Sequence, residues 1–146
     1  RSVASPRLQG CWIRRNPPVE GLKLNVDGSL LQGVVRGGGL VLDGKGSVLL
    51  AFRSYHRMGC SLGAEIHALL TGIKLCKSFF LDCAVLEPDS EVLVQALTTK
   101  GEVPWPLIYL VRSYKLEIPR GCVIQHVPRE ANFAADYLSC GGRPED

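Results

Sequence analysis

The chain has 146 residues, of which 46% are hydrophobic and 21% are charged, a composition typical of one globular domain and not of a disordered chain. Residues 1–20 hold four arginines and one glutamate, so the net charge of +3 falls entirely within them, and the neutral remainder cannot bind nucleic acid by bulk charge. No apolar run reaches the ~20 residues that span a bilayer and no signal-peptide pattern opens the chain, which disfavours membrane and secreted classes.

The first region, residues 1–20, shows no sustained hydrophobic period and ends near two adjacent prolines, Pro17 and Pro18, which predicts a basic linker or arm. The periodic patterns begin after it. We therefore predict the domain over residues 21–142, followed by a short tail over 143–146.

Three strands are predicted first. Leu22, Leu24 and Val26 alternate with polar residues, the pattern of a half-buried strand. Two later apolar runs flank Asp43-Gly44, a strong signal for a hairpin. Together these patterns predict an antiparallel meander.

The rest of the chain alternates helical and strand patterns, with Ser61 as the predicted N-cap of the first helix. The predicted elements are, in chain order, a helix from Ser61 through about Phe79, a strand over 83–86, a helix capped by Asp89-Ser90 through about Leu97, a helix over 106–117, a strand over 122–127 and a helix over 129–139. The order βββαβααβα predicts an α/β fold with a five-stranded mixed sheet and helices on both faces.

Four carboxylates lie at positions that loops and turns do not account for. Asp27 ends the first strand, Glu65 is one turn into the first helix, Asp89 follows the fourth strand, and Asp136 lies in the last helix. Taken singly, each has a structural explanation: a turn acceptor for Asp27, an N-cap for Asp89, and a hydrogen bond to the preceding strand for Asp136. Taken together they indicate a shared site, because the ends of the first and fourth strands can be neighbours in a mixed sheet.

Four converging carboxylates would repel one another unless divalent cations neutralised them. Oxygen ligands without His or Cys suit Mg²⁺ or Mn²⁺ better than Zn²⁺. Two such ions roughly 3.5–4 Å apart are the usual apparatus for cleaving phosphodiesters.

Four blocks of the sequence carry a family resemblance: residues 22–29, Ala64-Glu65, Pro88-Asp89-Ser90 and residues 126–136. They resemble type 1 ribonuclease H, and most closely the reverse-transcriptase-associated ribonuclease H domains of plant retroelements and of plant genes derived from them. The resemblance covers about residues 20–142. Each block alone is weak, but four in this order and spacing are specific.

The resemblance implies a ribonuclease H-like fold and a metal-binding tetrad of Asp27, Glu65, Asp89 and Asp136. Asp27 would bridge two Mg²⁺ or Mn²⁺ ions, with Glu65 and Asp89 on the ion that activates water and Asp136 on the ion beside the leaving oxygen. The implied reaction is endonucleolytic hydrolysis of the RNA strand of an RNA–DNA hybrid, leaving a 5′ phosphate.

The hybrid would be recognised through 2′-hydroxyl contacts in its minor groove and not by base sequence. The resemblance assigns substrate contacts to small and polar residues near the tetrad: Gly28, Ser29, Ser61, Ser90 and Asn132. We expect a monomer as an isolated domain, and the absence of an initiator Met indicates a piece of a longer polypeptide.

Two residues compete for the role of the catalytic residue that many family members carry in a mobile loop. His126 precedes Asp136 by ten residues, the expected spacing, but it falls in an apolar run that predicts a strand. Arg129 precedes Asp136 by seven residues and matches members that use Arg, so it is placed among the catalytic residues. A solvated Arg in the first turn of the last helix is the alternative.

Two departures from the family keep a second function open. Ser61 and Leu62 stand where polar residues precede the catalytic Glu, and no basic protrusion lies between the middle helices. A domesticated nucleic-acid-binding or protein-interaction module, weakly active or inactive, is therefore the alternative to the nuclease. A transposase or integrase of the same fold is disfavoured because its last carboxylate is usually Glu, whereas this chain has Asn132 followed by Asp136.

The six cysteines form no C-x-x-C pair and no regular framework. Free thiols in a reducing compartment are the expectation. This predicts an intracellular protein of the nucleus, the cytoplasm or an organelle.

Overall fold

The computed structural model describes residues 7–56, 60–98, 103 and 105–126. Within these ranges the strands are β1 (Arg7–Ile13), β2 (Leu22–Leu31), β3 (Val34–Leu42), β4 (Val48–His56), β5 (Cys83–Pro88) and β6 (Val123–Ile124). The helices are α1 (Ser61–Ser78), α2 (Glu91–Thr98) and α3 (Ile108–Glu117), the last preceded by a 3₁₀ turn over Trp105–Leu107. The helix predicted over 129–139 lies outside the described residues.

All six strands form one mixed sheet in the order β1-β4-β3-β2-β5-β6. The pairs from β1 to β2 are antiparallel, whereas β2, β5 and β6 are parallel. The predicted antiparallel meander followed by βα crossovers is confirmed. The predicted count of five strands is one short.

The additional strand is β1, which lies within the region predicted as a basic linker or arm (1–20). It pairs with β4, and the register shifts between Leu8 and Gly10. This β-bulge interrupts the two-residue alternation by which a strand is recognised in a sequence. At least residues 7–13 therefore belong to the sheet, and the domain boundaries remain predictions.

Two helix starts matter for the site, and the first differs from the prediction. The N-cap of α1 is Cys60, whose Sγ accepts from the Gly63 N–H at 3.4 Å, so Ser61 is the first helical residue. Before α2, the Ser90 Oγ accepts from the Leu93 N–H at 3.2 Å. Because the Ser90 hydroxyl supplies this cap, the carboxylate of Asp89 is not needed for it.

Helix α1 packs on one face of the sheet and supplies much of the core. Its buried apolar residues pack with buried residues of the central strands, among them Leu24, Val26, Phe52, Ile66, Leu69 and Ile73. Burying side chains of this size stabilises the fold by about 1.5–3 kcal/mol each relative to exposure. No described helix is both long enough and apolar enough to cross a bilayer.

Candidate functional site

Parallel pairing of β2 and β5 brings two of the predicted ligands together. The register places Val26 beside Pro88, so Asp27 and Asp89 each come one residue later, at the same edge of the sheet. The two residues are more than sixty positions apart in the sequence. Their proximity follows from the crossover through α1 and not from local structure.

A glycine brings the third predicted ligand to this edge. A Cβ atom on Gly28 would lie 2.6 Å from both the carbonyl carbon of Ala64 and the nitrogen of Glu65. Such contacts are far inside van der Waals distance, so only glycine allows the start of α1 to lie this close to β2. As a result, Asp27, Glu65 and Asp89 each present a carboxylate oxygen within 4.8 Å of the others.

Two of these carboxylates are withdrawn from solvent. Asp27 is 5% exposed and Glu65 is 6% exposed. Burial, together with the hydrogen bond and negative charge of Asp89 and the negative charge of Asp27, raises the pKa of Glu65 to about 9. Without a bound cation, Glu65 is therefore protonated at neutral pH. Asp27 accepts a backbone hydrogen bond, since the Gly28 N–H donates to its Oδ1 at 2.9 Å.

The donor set fits a hard divalent cation. All three groups are carboxylates, the ligands that Mg²⁺ and Mn²⁺ prefer. A cation among them would reverse the repulsion that keeps Glu65 protonated, because its charge favours the ionised form of every neighbouring carboxylate. Without such a cation this part of the fold carries an electrostatic cost.

A cavity of about 480 Å³ opens onto the three carboxylates. Three of the predicted substrate-contacting residues line it, namely Gly28, Ser61 and Ser90, together with the apolar Leu62 and Val92. None of the described lining residues is basic. A polyanionic substrate bound here would need positive charge from another source.

The remaining predicted site residues divide into two groups. Ser29 lies in β2 opposite Arg36 of β3. Asp136, Arg129 and Asn132 lie outside the described residues. The structure therefore brings together three of the four predicted metal ligands.

His126 does not lie in a strand, so the strand interpretation of this residue is wrong. Strand β6 ends at Ile124, and His126 is exposed. Its Nε2 donates to the Asp89 carbonyl oxygen at 3.0 Å. The imidazole is thus at the edge of the carboxylate cluster, which keeps His126 a candidate for the mobile-loop role.

A buried polar pair that the sequence patterns do not indicate lies beside the site. Glu87 is 7% exposed and Asn25 is 4% exposed, and the two are register partners across β2 and β5. The Asn25 Nδ2 donates to the Glu87 Oε1 at 2.8 Å. Their positions give no local signal of burial, because a strand residue next to a core residue points to the opposite face of the sheet.

Comparisons with known proteins agree with this architecture. The family model described as "Reverse transcriptase-like" matches residues 25–140. No curated protein matches the chain.

Among solved structures, RNase H1 from the archaeon Halobacterium salinarum is 24% identical with a TM-score of 0.71, over 82% of this chain and 94% of that one. The N-terminal RNase H domain of a Mycobacterium tuberculosis protein, solved as a fusion with maltose-binding protein, is 22% identical with a TM-score of 0.72, over 82% and 90%. LC11-RNase H1, solved in complex with an RNA/DNA hybrid, is 22% identical with a TM-score of 0.69, over 83% and 95%. The chain therefore has the ribonuclease H fold and belongs to the reverse transcriptase-like family.

Proposed function

We propose that the protein is a metal-dependent endonuclease that hydrolyses the RNA strand of RNA–DNA hybrids. The observation that carries the proposal is the convergence of Asp27, Glu65 and Asp89 within 4.8 Å at the floor of a surface cavity. The fold of the chain and a neighbour solved with an RNA/DNA hybrid support the choice of substrate.

The three described carboxylates would hold the metal, with Asp136 as the predicted fourth ligand. Divalent cations bound there would supply the positive charge that lowers the pKa of an attacking water and stabilises the leaving oxygen. We propose two ions, Mg²⁺ or Mn²⁺, and a 5′-phosphate product.

The chain's own residues perform the binding and orienting. The Gly28 N–H fixes one oxygen of Asp27, and the Ser90 hydroxyl caps α2 so that the position of Asp89 at the end of β5 is set. Ser61 lines the cavity and offers a hydroxyl that can bond a ribose 2′-hydroxyl or a phosphate oxygen. Because 2′-hydroxyls distinguish RNA from DNA, these contacts favour an RNA strand in the cavity.

The test is a cleavage assay with end-labelled RNA–DNA hybrid, double-stranded RNA, single-stranded RNA and double-stranded DNA, each with Mn²⁺ and with Mg²⁺. We expect cleavage of the hybrid alone, with greater activity in Mn²⁺ because Mg²⁺ demands near-ideal octahedral geometry. The end groups of the products are identified by phosphatase and ligase treatment. Folded protein that leaves the hybrid intact in both metals would rule out the nuclease.

A second candidate function is a nucleic-acid-binding or protein-interaction module without useful turnover. The apolar side chains of Leu62 and Val92 in the cavity lining, and the absence of basic residues from its described part, favour this alternative. Hybrid binding measured by fluorescence anisotropy, beside the cleavage assay, separates the two functions. Binding without cleavage, in protein whose metal site is loaded, would support the module.

The finer family placement among plant retroelement domains rests on the four motif blocks 22–29, Ala64-Glu65, Pro88-Asp89-Ser90 and 126–136 and is part of this proposal. So are an intracellular location and a monomeric domain within a longer polypeptide.

A further inference from the structure

The Glu87 carboxylate uses both of its oxygens to join three strands. Oε1 accepts from the Asn25 Nδ2 at 2.8 Å, and Oε2 accepts from the Gln125 Nε2 at 2.7 Å. The Lys23 ammonium lies 3.9 Å from Oε2. Glu87 thus joins β5, which carries it, to β2 and to the residue that follows β6.

The same three strands deliver residues to the carboxylate cluster. Asn25 precedes Asp27 by two residues on β2, and Glu87 precedes Asp89 by two residues on β5 and its continuation. Gln125 immediately precedes His126, whose ring contacts the Asp89 carbonyl oxygen. Each hydrogen-bond partner of Glu87 therefore lies one or two residues before Asp27 or His126.

A buried carboxylate in this place is costly unless its hydrogen bonds are made, so the network tolerates little displacement of one strand along another. Backbone pairing alone fixes β6 weakly, because that strand is only two residues long. The Gln125 N–H also donates to the Leu86 carbonyl oxygen at 2.9 Å, so both the backbone and the side chain of Gln125 are tied to β5.

We propose that Glu87 is a positioning residue for the metal site: by bonding Asn25 and Gln125 it holds the middle of β2 in register with the carboxyl ends of β5 and β6, so that Asp27 and Asp89 bind one cation together. This inference rests on the proposed function, because it takes the carboxylate cluster to be a metal site. Glu87 itself contacts neither metal nor substrate. Its effect reaches the reaction through the placement of the two aspartates.

The test compares Glu87→Leu with Glu87→Gln and with Val111→Ala. Glu87→Leu removes both hydrogen bonds. Glu87→Gln keeps two, since one flipped amide in Asn25 or Gln125 restores donor–acceptor pairing. Val111→Ala destabilises a buried position of α3 that does not line the cavity, and so controls for a general loss of stability.

The readout is the Mn²⁺ concentration that gives half of the Mn²⁺-induced rise in melting temperature, measured without substrate. We expect Glu87→Leu to need about 10–100-fold more Mn²⁺, the usual cost of losing a residue that orients a ligand. Glu87→Gln and Val111→Ala should stay close to the unsubstituted protein. Hybrid cleavage is measured in parallel at a temperature where every variant is folded.

Equal Mn²⁺ requirements for Glu87→Leu and Val111→Ala would overturn the inference. If Glu87→Leu does not fold, the exposed Gln125→Ala variant decides, with an expected increase of about tenfold and an unchanged requirement as the overturning result. Protein that shows the Mn²⁺ effect without cleaving hybrid would overturn the proposed function alone. Protein that shows no Mn²⁺ effect would overturn both.

Discussion

Two glutamates, one in α1 and one in α3, have opposite electrostatic surroundings. Glu65, in the first half of the helix, is buried beside Asp89 and Asp27, and its pKa rises to about 9. Glu117, at the end of α3, meets Lys77 in the last turn of α1 at 2.9 Å. The hydrogen bond from Lys77 is the main cause that lowers the pKa of Glu117.

Glu117 pairs with a cation of the chain, whereas the groups that shift the pKa of Glu65 in the described residues are the carboxylates of Asp89 and Asp27 and the Ser90 hydroxyl. Glu117 pairs with the Lys77 ammonium, is partly exposed to solvent and links α3 to α1. Glu65 has two further carboxylates as neighbours and lies almost out of water. A fold keeps such a group at a cost, and a cation from solution is the natural compensation. The predictions below test this contrast, from the largest expected effect to the smallest.

The substitution Asp27→Asn should abolish cleavage while Glu117→Gln leaves it unchanged. Asp27 is the buried carboxylate beside Glu65 and Asp89 that we propose as a metal ligand, so its loss should lower the rate at least about a hundredfold, which is roughly 2.7 kcal/mol of transition-state stabilisation. Initial rates on labelled hybrid check this. In metal-free buffer, Asp27→Asn should melt at the same temperature or higher, since one repelling charge is gone. A variant that cleaves at the normal rate would remove Asp27 from the mechanism.

The substitution Glu65→Gln should remove a loss of stability at high pH that the unsubstituted protein shows without metal. The folded-state pKa of Glu65 is raised from its ordinary value near 4.5 to about 9. Its contribution is therefore fully present below the ordinary value and is lost as pH rises through about 9. We expect Glu65→Gln to gain roughly 2–4 kcal/mol relative to the unsubstituted protein near pH 9, and little at pH 4.

Melting curves in EDTA across this pH range provide the measurement for Glu65→Gln. Saturating Mn²⁺ should reduce the loss of melting temperature that the unsubstituted protein shows at high pH, because a bound cation favours the ionised form of Glu65. Glu117→Gln, measured alongside, should leave the high-pH loss in place. Parallel curves for the protein and Glu65→Gln would contradict a protonated Glu65.

The substitution Gly28→Ala should destabilise the protein by roughly 1–3 kcal/mol, the usual cost of overpacking, and should reduce cleavage. A Cβ atom there would meet the backbone of Ala64 and Glu65 at 2.6 Å, which cannot move without shifting the start of α1. Gly10→Ala is the matched control, since nothing lies within 4 Å of its Cβ position. Chemical denaturation and cleavage rates measure both effects, and equal behaviour of the two variants would contradict the close approach.

The substitution Lys77→Ala should have the smallest effect, below about 1 kcal/mol, because the ion pair with Glu117 is exposed. The side chains of Lys77 and Glu117 are 49% and 34% exposed. The effect should shrink in high salt and should fade as pH falls and Glu117 is protonated, since a lowered pKa stabilises only above the ordinary value. Denaturation at low and high salt checks this. An effect that persists in molar salt would indicate lost packing by the Lys77 stem.

Local sequence patterns predicted most of the fold because most elements obey a simple period. The alternation of Leu22, Leu24 and Val26 predicts β2, and the apolar spacing after Ser61 predicts α1. Strand β1 was not predicted because the bulge between Leu8 and Gly10 breaks the two-residue alternation of its side chains. The strand predicted over 122–127 is longer than β6, which spans only Val123–Ile124. Beyond β6, the Gln125 N–H still donates to the Leu86 carbonyl oxygen.

The candidate site was predictable in its parts but not in its support. Asp27 and Asp89 were predicted as ligands because each follows an apolar strand pattern, and the family resemblance joined them to Glu65. The expectation that Asp27 ends its strand is wrong, since β2 continues to Leu31. The hydrogen bond between Asn25 and Glu87 depends on the register of β2 and β5, which the local sequence of neither strand determines. The predicted strand over 83–86 stopped before Glu87, so that carboxylate was not weighed at all.

Strand β1 also affects how readily the sheet pairs with strands of other protein molecules. Its seven residues cover the outer edge of β4, a nine-residue strand. Removal of residues 1–16 would bare a long row of backbone N–H and C=O groups, a template on which foreign strands add and aggregates grow. The bulged β1 is a poorer template, because its irregular edge resists continuous pairing. Strand β1 thus protects the edge of β4 from pairing with foreign strands, and a truncated protein must begin before Arg7 to keep that protection.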